Sequence, residues 1–386
     1  MAKKKEVKTE IPNEEIDEID SIIEHINSNL KGEGRIFRAS EIEGTFTKRI
    51  PSLITSLDKE IGGGIQANGI IQLAGAENSG KTALSYLFAR NVQKIYGAES
   101  RIALLTVEPF DKKFAKDLGF QVRYNQSEID AIERSYKDQG LSLTDEQKAY
   151  LALEIGKVYV VRCPTTEIIL QTAFELAASG KFHLIIIDSV AAMESLAAEE
   201  KSLSEATRGG NAKALSAFFR KMSSVYSQTA IILINHIIDN MDAGLYGKKY
   251  LLPGGHGLKH ASLITIVLSS GERFKETVGK KEVQYGKEVN FFIEKGKAGC
   301  SDGGKGSYPY YNGKLGRPFG FDLEADLLVN GVYYGIFNTK GAWYYFGEEA
   351  LGQGKEAAAS KLRERPELFD MARKKIFAKE GIYFTT

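Results

Sequence analysis

Eight consecutive residues, Gly75-Ala76-Glu77-Asn78-Ser79-Gly80-Lys81-Thr82, read G-x-x-x-x-G-K-T. Glycines at that spacing let the backbone turn its N–H groups inward around phosphate oxygens. The lysine ammonium can reach the β- and γ-phosphates of a nucleoside triphosphate, and the threonine hydroxyl can ligate Mg²⁺. A helix beginning there adds the positive end of its dipole. A chance glycine-rich turn is the bland alternative, and the flanks argue against it. Residues 69–74 are an apolar run of strand length, and residues 83–90 have helical spacing with no breaker.

Three other apolar runs end on residues that could do chemistry. Residues 102–107 end on Glu108, residues 184–187 on Asp188, and residues 230–234 on Asn235 and His236. Ligands bind beyond the carboxyl ends of the strands in open α/β sheets. There, Glu108 suits the base that orients and deprotonates a water attacking the γ-phosphate; a plain surface acid in a loop is the alternative. An acid ending an apolar strand downstream of a phosphate loop, as Asp188 does, suits the Mg²⁺ shell. His236 reads either as a γ-phosphate contact or as a structural histidine.

The elements that must position these groups follow from the same pattern. Short apolar runs alternate with helical stretches, which predicts an α/β fold with a mostly parallel central sheet covered by helices on both faces. Ahead of it, Ile16, Ile19, Ile22, Ile23, Ile26 and Leu30 recur at helical spacing among acids. They predict an amphipathic helix that docks on its own core or on a neighbouring subunit. Residues 125–157 are polar and helical in texture, with no chemical motif, and read as a surface insertion. Two long loops carry glycines and cations: one holds Arg208, Gly209 and Gly210, the other Tyr246, Lys248, Lys249, Gly254 and Gly255. Cations beside aromatics suit a groove for single-stranded DNA, and ordinary surface loops are the alternative. Near the end of a strand-like run, Lys295 and Lys297 stand two apart, so both can face one target or simply decorate a strand end.

Composition narrows the class without naming it. A formal net charge of +1 means that any nucleic-acid contact must come from local patches. Cys163 and Cys300 are far apart and in no metal-ligand spacing, so they read as free thiols of a reducing cytoplasm. No apolar run is long enough to predict a membrane span. Lys3-Lys4-Lys5 is followed by no apolar stretch and does not read as a secretory signal.

Several stretches together resemble the RecA family of DNA recombinases. They are residues 50–75, the loop Ala76 to Thr82, Asp188-Ser189-Val190-Ala191-Ala192, and Gly254-Gly255-His256-Gly257-Leu258-Lys259. Gly341-Ala342-Trp343-Tyr344 and Leu351-Gly352-Gln353-Gly354-Lys355 are similar to the family's C-terminal part, which has no ATP chemistry and separates it from other P-loop ATPases. The resemblance runs from about residue 34 to 380.

What the resemblance implies is specific. The fold would be a P-loop RecA-type ATPase core over 46–322, with an N-terminal oligomerisation helix and linker over 1–45 and a small α+β C-terminal domain over 323–386. ATP, with Mg²⁺ on Thr82 and Asp188, would sit on Gly75, Ala76, Glu77, Asn78, Ser79, Gly80, Lys81, Thr82 and Ala83, with Asp111 and Phe114 on the adenine side. Glu108, Lys81 and His236 would be catalytic, joined by Lys295 and Lys297 reaching ATP across a subunit interface. The two loops would bind DNA. His236 stands where bacterial members carry glutamine, as in phage members of the UvsX kind. The 125–157 stretch and the Gly/Tyr-rich 303–320 stretch are extra, and the chain ends without the acidic tail of bacterial relatives.

The function expected is ATP-dependent filament formation on single-stranded DNA, pairing with a homologous duplex and strand exchange, in the cytoplasm. A single-strand-binding protein and a loading mediator are the further partners expected. A non-catalytic mediator and a hexameric helicase on the same core are the competing classes. Glu108 and the complete second loop weigh against the first, and the C-terminal stretch against the second.

Overall fold

The computed structural model describes residues 13–29, 36, 48–162, 165–189, 210–225, 227–240, 243–244, 247–297 and 299–382. The chain divides into two units, Met1–Thr45 and Phe46–Thr386. In the first, helix α1 (Asn13–Asn29) carries the expected apolar repeat, and Ile19 and Ile22 remain exposed. Asn27 holds the following chain through Ile36, donating to its carbonyl at 3.1 Å and accepting from its amide at 2.6 Å.

The second unit is built on one sheet. A two-strand ribbon, β1 (Arg49–Ile50) with β2 (Ile65–Gln66), and the short helix α2 (Thr55–Glu60) lead into β3 (Ile70–Gly75) and helix α3 (Lys81–Tyr96). Then come β4 (Arg101–Thr106), α4 (Lys112–Asp117), α5 (Gln126–Asp138), α6 (Asp145–Ala152), β5 (Lys157–Arg162), α7 (Thr166–Ala178), β6 (Leu184–Asp188), α8 (Gly210–Ser223) and β7 (Ala230–His236). Strands β3, β7, β6, β4 and β5 are mutually parallel in that order.

Side-chain alternation explains why these strands read as unbroken apolar runs. On β4, β6 and β7, residues 102, 104, 184, 186, 232 and 234 join the cluster containing α3, while 103, 105, 185, 187, 231 and 233 join the cluster of α7 and α8. Both faces are covered, so every position must be apolar.

On the other flank the sheet changes character. Strands β8 (Ile238–Asp239) and β9 (Tyr250–Leu251) form a small separate ribbon before helix α9 (Gly255–Ala261). Strand β10 (Ile264–Val278) lies parallel to β3 along residues 264–268. Strands β11 (Lys281–Gly296), β12 (Lys305–Asn312) and β13 (Phe319–Phe321) then follow antiparallel. Within the Gly/Tyr-rich 303–320 stretch, residues 305–312 and 319–320 are strand. Beyond residue 268, β10 pairs with β11 alone among the described strands, β11 stays paired with β12 over 286–292, and past Phe274 the two continue as a two-stranded ribbon; the register shifts at 270/273 and 274/275.

Local signals fix the stretch over 125–157. Asn125 with Glu128, and Thr144 with Gln147, form reciprocal capping boxes that start α5 and α6. The two helices are joined by the Lys148–Glu133 pair at 3.0 Å.

The C-terminal part comprises α10 (Leu323–Tyr333), an antiparallel sheet of β14 (Phe337–Lys340), β15 (Trp343–Phe346) and β16 (Glu349–Gln353), then α11 (Gly354–Glu364) and α12 (Pro366–Lys379). Leu327, Leu362, Phe369 and Ile376 share one hydrophobic cluster with Leu57, Leu84 and Phe88. At its centre Arg373 donates to Asp58 at 2.7 Å, and Asp58 also accepts from Ser52 N at 2.8 Å, Ser52 Oγ at 2.7 Å and Leu53 N at 2.9 Å. Among the described residues no helix is long and apolar enough to cross a membrane.

Candidate active site

Four neighbouring parallel strands end on one edge of the sheet, and each end delivers a polar group. β3 delivers the phosphate loop; β7 delivers His236, in register with Gly75. β6 delivers Asp188, and the turn after β4 delivers Glu108. Around them lies a cleft of about 830 Å³, lined by Glu77, Asn78, Ser79, Gly80, Lys81, Thr82, Ala83, Glu108, Phe114, Asp188, His236, Lys287 and Tyr310.

The loop's shape depends on its glycines. A Cβ on Gly75 would lie 2.4 Å from the Leu268 carbonyl oxygen and 2.5 Å from Ser79 Oγ. Gly80, at φ +101°, opens α3 from a left-handed conformation that disfavours any side chain. It offers no side-chain cap, which leaves the first amides of α3 for an anion.

Lys81 donates to the carbonyls of Gly75 at 3.0 Å and Ala76 at 2.7 Å. Burial lowers its pKa, while Asp188, Glu77 and Glu108 pull it back up. Thr82 Oγ1 donates to Asp188 Oδ2 at 3.0 Å. Burial, reinforced by Glu108, pushes the Asp188 carboxyl up to about 6, against the Thr82 hydrogen bond and Lys81. A buried carboxyl beside a hydroxyl is a pair of hard oxygen donors, so Thr82 and Asp188 fit Mg²⁺. The buried Ser79 hydroxyl, without a hydrogen-bond partner, fits a phosphate oxygen.

Burial, with Lys81, lowers the His236 pKa, and Glu108 and Glu77 oppose the shift. The Glu108 amide donates to Thr106 Oγ1 at 2.9 Å, which fixes the turn that carries it. Phe114 lines the cleft. Asp111 does not: it caps α4, with Oδ1 accepting from the Phe114 amide at 3.0 Å.

Two lining residues are absent from the sequence reading. Lys287, from β11, donates to the Asn78 carbonyl and to Ser270 Oγ, the latter at 3.1 Å. Tyr310, from β12, packs edge-on to Phe319 with ring centroids 6.1 Å apart. Neither has a local motif, because both arrive on the antiparallel flank.

The remaining expected residues lie elsewhere. The Lys295 ammonium donates to the carbonyls of Lys259 and His260 at the end of α9, the second at 3.1 Å. Lys297 lies just past β11, its amide on the Leu263 carbonyl at 3.0 Å. Neither lysine lines this chain's own cleft. Gly254 and Gly255 open α9, and Asn235 ties that turn to β7 by donating to Pro253 O at 2.7 Å. Lys248 is ion-paired with Glu294, which also accepts from the Tyr250 hydroxyl at 2.6 Å. Lys249 is exposed. Gly210 begins α8; Arg208, Gly209 and Tyr246 lie outside the described residues.

Comparison with known proteins places this architecture. Residues 125–300 match the RecA N-terminal domain and residues 325–381 the RecA C-terminal domain. Protein RecA of Thermus thermophilus is 30% identical over 356 residues, covering 91% of each chain. The chain belongs to the RecA family. Protein RecA of Aquifex aeolicus is 27% identical over 377 residues, covering 96% of this chain and 95% of its own. The chloroplastic DNA repair protein recA homolog 1 of Arabidopsis thaliana is 25% identical over 362 residues, 93% of this chain and 72% of its own. The 9% of 386 residues left outside the Thermus alignment, about 35, is too few to exclude the phosphate loop or Glu108. The 125–157 stretch, read from sequence as an insertion, falls inside the span matched to the family's N-terminal domain.

Proposed function

We propose that this RecA-family protein is a DNA-dependent ATPase that forms filaments on single-stranded DNA and exchanges strands with a homologous duplex. The observation that carries the reading is the convergence of Lys81, Thr82, Asp188, Glu108 and His236 on one cleft at the carboxyl edge of the parallel strands. Lys81 holds its charge against the β- and γ-phosphates, exchanging two carbonyl partners for phosphate oxygens. Thr82 and Asp188 would hold Mg²⁺, which when bound would neutralise phosphate charge. Glu108 takes the proton of the attacking water, and neutral His236 hydrogen-bonds beside the γ-phosphate. Lys295 and Lys297 face a neighbouring subunit's nucleotide, which makes the contact heterologous and lets it propagate as a helix. The loop around Lys248 and Lys249 tracks the DNA backbone, so base pairing rather than protein selects sequence.

The test is joint-molecule formation between a single strand and a homologous duplex. Product should require ATP and homology and vanish in Lys81→Ala. Equal product without ATP, or with unrelated sequence, would overturn the proposal. Mixing Lys81→Ala with a Lys295→Ala/Lys297→Ala variant should restore part of the ATPase, since some interfaces then pair an intact loop with intact lysines. Mixed filaments with no activity would remove these lysines from the shared site.

A further inference from the structure

A second cavity, of about 470 Å³, opens away from the phosphate loop, between the C-terminal half of α3, α4 and β13. Arg90 lies nine positions after Lys81 on α3, ~14 Å along the helix axis, so the two sites are separate. Three cations line this cavity: Arg90, Lys94 and Lys116. Arg90 and Lys94 are four apart on α3 and share a face. Among the described residues neither has a hydrogen-bond or ion-pair partner. Lys116 donates to neutral oxygens only: Tyr150 O at 2.7 Å, Gln121 Oε1 at 3.1 Å and Leu153 O at 3.4 Å.

The carboxylates nearby do not neutralise this set. Asp117 lines the cavity but is held by Lys113 at 2.6 Å. Glu324 and Asp370 act on Arg90 or Lys94 only at a distance, and Glu324 is paired with Arg363 at 3.3 Å. Burial lowers the pKa of all three cations, that of Lys116 to about 8. Lys116 is buried and Arg90 half-buried with no carboxylate bonded to either, which is costly, and the cavity they line together with the exposed Lys94 has room for an anion. Phe319 and Phe321 line the same cavity and give it an aromatic surface.

We propose that this cavity binds a phosphorylated small molecule, its phosphoryl group between Arg90, Lys94 and Lys116 and its organic part against Phe319 and Phe321. A guanidinium fork suits two phosphoryl oxygens, and the ammonium groups add point charge. The cavity's volume suits a nucleotide-sized ligand. Phe319 also packs edge-on to Phe114 at 6.0 Å and to Tyr310 at 6.1 Å, so one ring separates the two sites. The inference does not depend on the activity proposed above.

Titration calorimetry on the full chain tests it, with the phosphate loop saturated by Mg²⁺ and a non-hydrolysable ATP analogue. Phenyl phosphate should bind at one equivalent per chain, at least fivefold tighter than inorganic phosphate because of the aromatic wall. Arg90→Gln/Lys94→Gln should weaken it at least tenfold, whereas Arg90→Lys should retain most of it. These side chains hold no described hydrogen bond, so an unchanged melting temperature should accompany the loss. No saturable binding to the wild-type chain, or equal binding to the double variant, overturns the proposal. So does loss of oligonucleotide affinity in the double variant while phenyl phosphate binds neither form, which would assign the cations to nucleic acid.

Discussion

Replacing Arg373 by methionine should destabilise the second unit far more than loss of a surface pair. The change keeps side-chain volume but removes the charge facing Asp58, which is 0% exposed. Three N–H and O–H donors from Ser52 and Leu53 would remain, so the carboxylate stays hydrogen-bonded but loses its counter-charge. Breaking one side of a buried pair costs about 3–5 kcal/mol, against about 0–1 for an exposed one. With about 340 residues unfolding at ~2.1 cal/mol/K each, that cost lowers Tm by roughly 4–7 °C. Burial already raises the Asp58 pKa and Arg373 opposes it. The variant can therefore recover stability by protonating Asp58, and its deficit should shrink as pH falls. Asp58→Asn/Arg373→Met should regain part of the loss, because an amide oxygen can still accept from Ser52 and Leu53. Calorimetric melting of Arg373→Met, Asp58→Asn and the double variant between pH 5 and 8 decides the matter. A drop under roughly 1.5 °C in the single variant, or a double variant as unstable as both singles added, would refute the reasoning.

Three further outcomes are expected. Glu108→Gln should keep nucleotide binding but lose at least about 100-fold in ATP turnover; turnover within tenfold would leave Glu108 under ~1.4 kcal/mol and unfit as the base. Asp326 is buried and its carboxyl is pushed up to about 6, above the ordinary 3.8, so the folded chain holds an extra proton between those values and loses stability as pH rises through 6. Asp326→Asn should therefore match the parent near pH 4 and exceed it above pH 7, by at most roughly 3 kcal/mol; a difference independent of pH in melting curves would contradict this. Glu294→Gln should release Lys248, tighten single-stranded DNA binding several-fold and steepen its salt slope by about one ion, as read by fluorescence anisotropy; an unchanged slope means that Lys248 touches no phosphate.

The parallel half of the site was legible because its cues are local. The phosphate loop is contiguous, and Glu108, Asp188 and His236 each follow an apolar run. Parallel strands point their carboxyl ends to the same edge, so separate cues become one cleft. Lys287 and Tyr310 gave no such cue. They enter from antiparallel strands, and their reach into the cleft depends on the β10–β11–β12 register, including a shift at 265/266. Lys248 shows the opposite limit. Its charge is plain in the sequence, but its partner Glu294 is 46 residues away, and nothing near either residue announces the pair. Asp111 read as a ligand contact, yet an aspartate three residues before the amide it accepts from is equally a helix cap.

The β10–β11 ribbon has a consequence for solubility. Past Leu268 its ten remaining β10 residues extend ~34 Å, and over 269–278 that strand pairs with no described strand except β11. The β10 edge over 269–278 and the β11 edge over 281–285, where β12 no longer pairs with it, are rows of open amides and carbonyls, a template onto which a second molecule could add a strand. The ribbon carries Glu272, Arg273, Lys275, Glu276, Lys280, Lys281 and Glu282, with Lys275 and Glu282 paired across it at 2.8 Å. Its two shifts of register also kink the edges that a partner strand would need straight. Charge and kink together keep the ribbon a lone arm. Replacing these charges by threonine would leave the ATP cleft intact and make the protein precipitate through its arms as concentration rises.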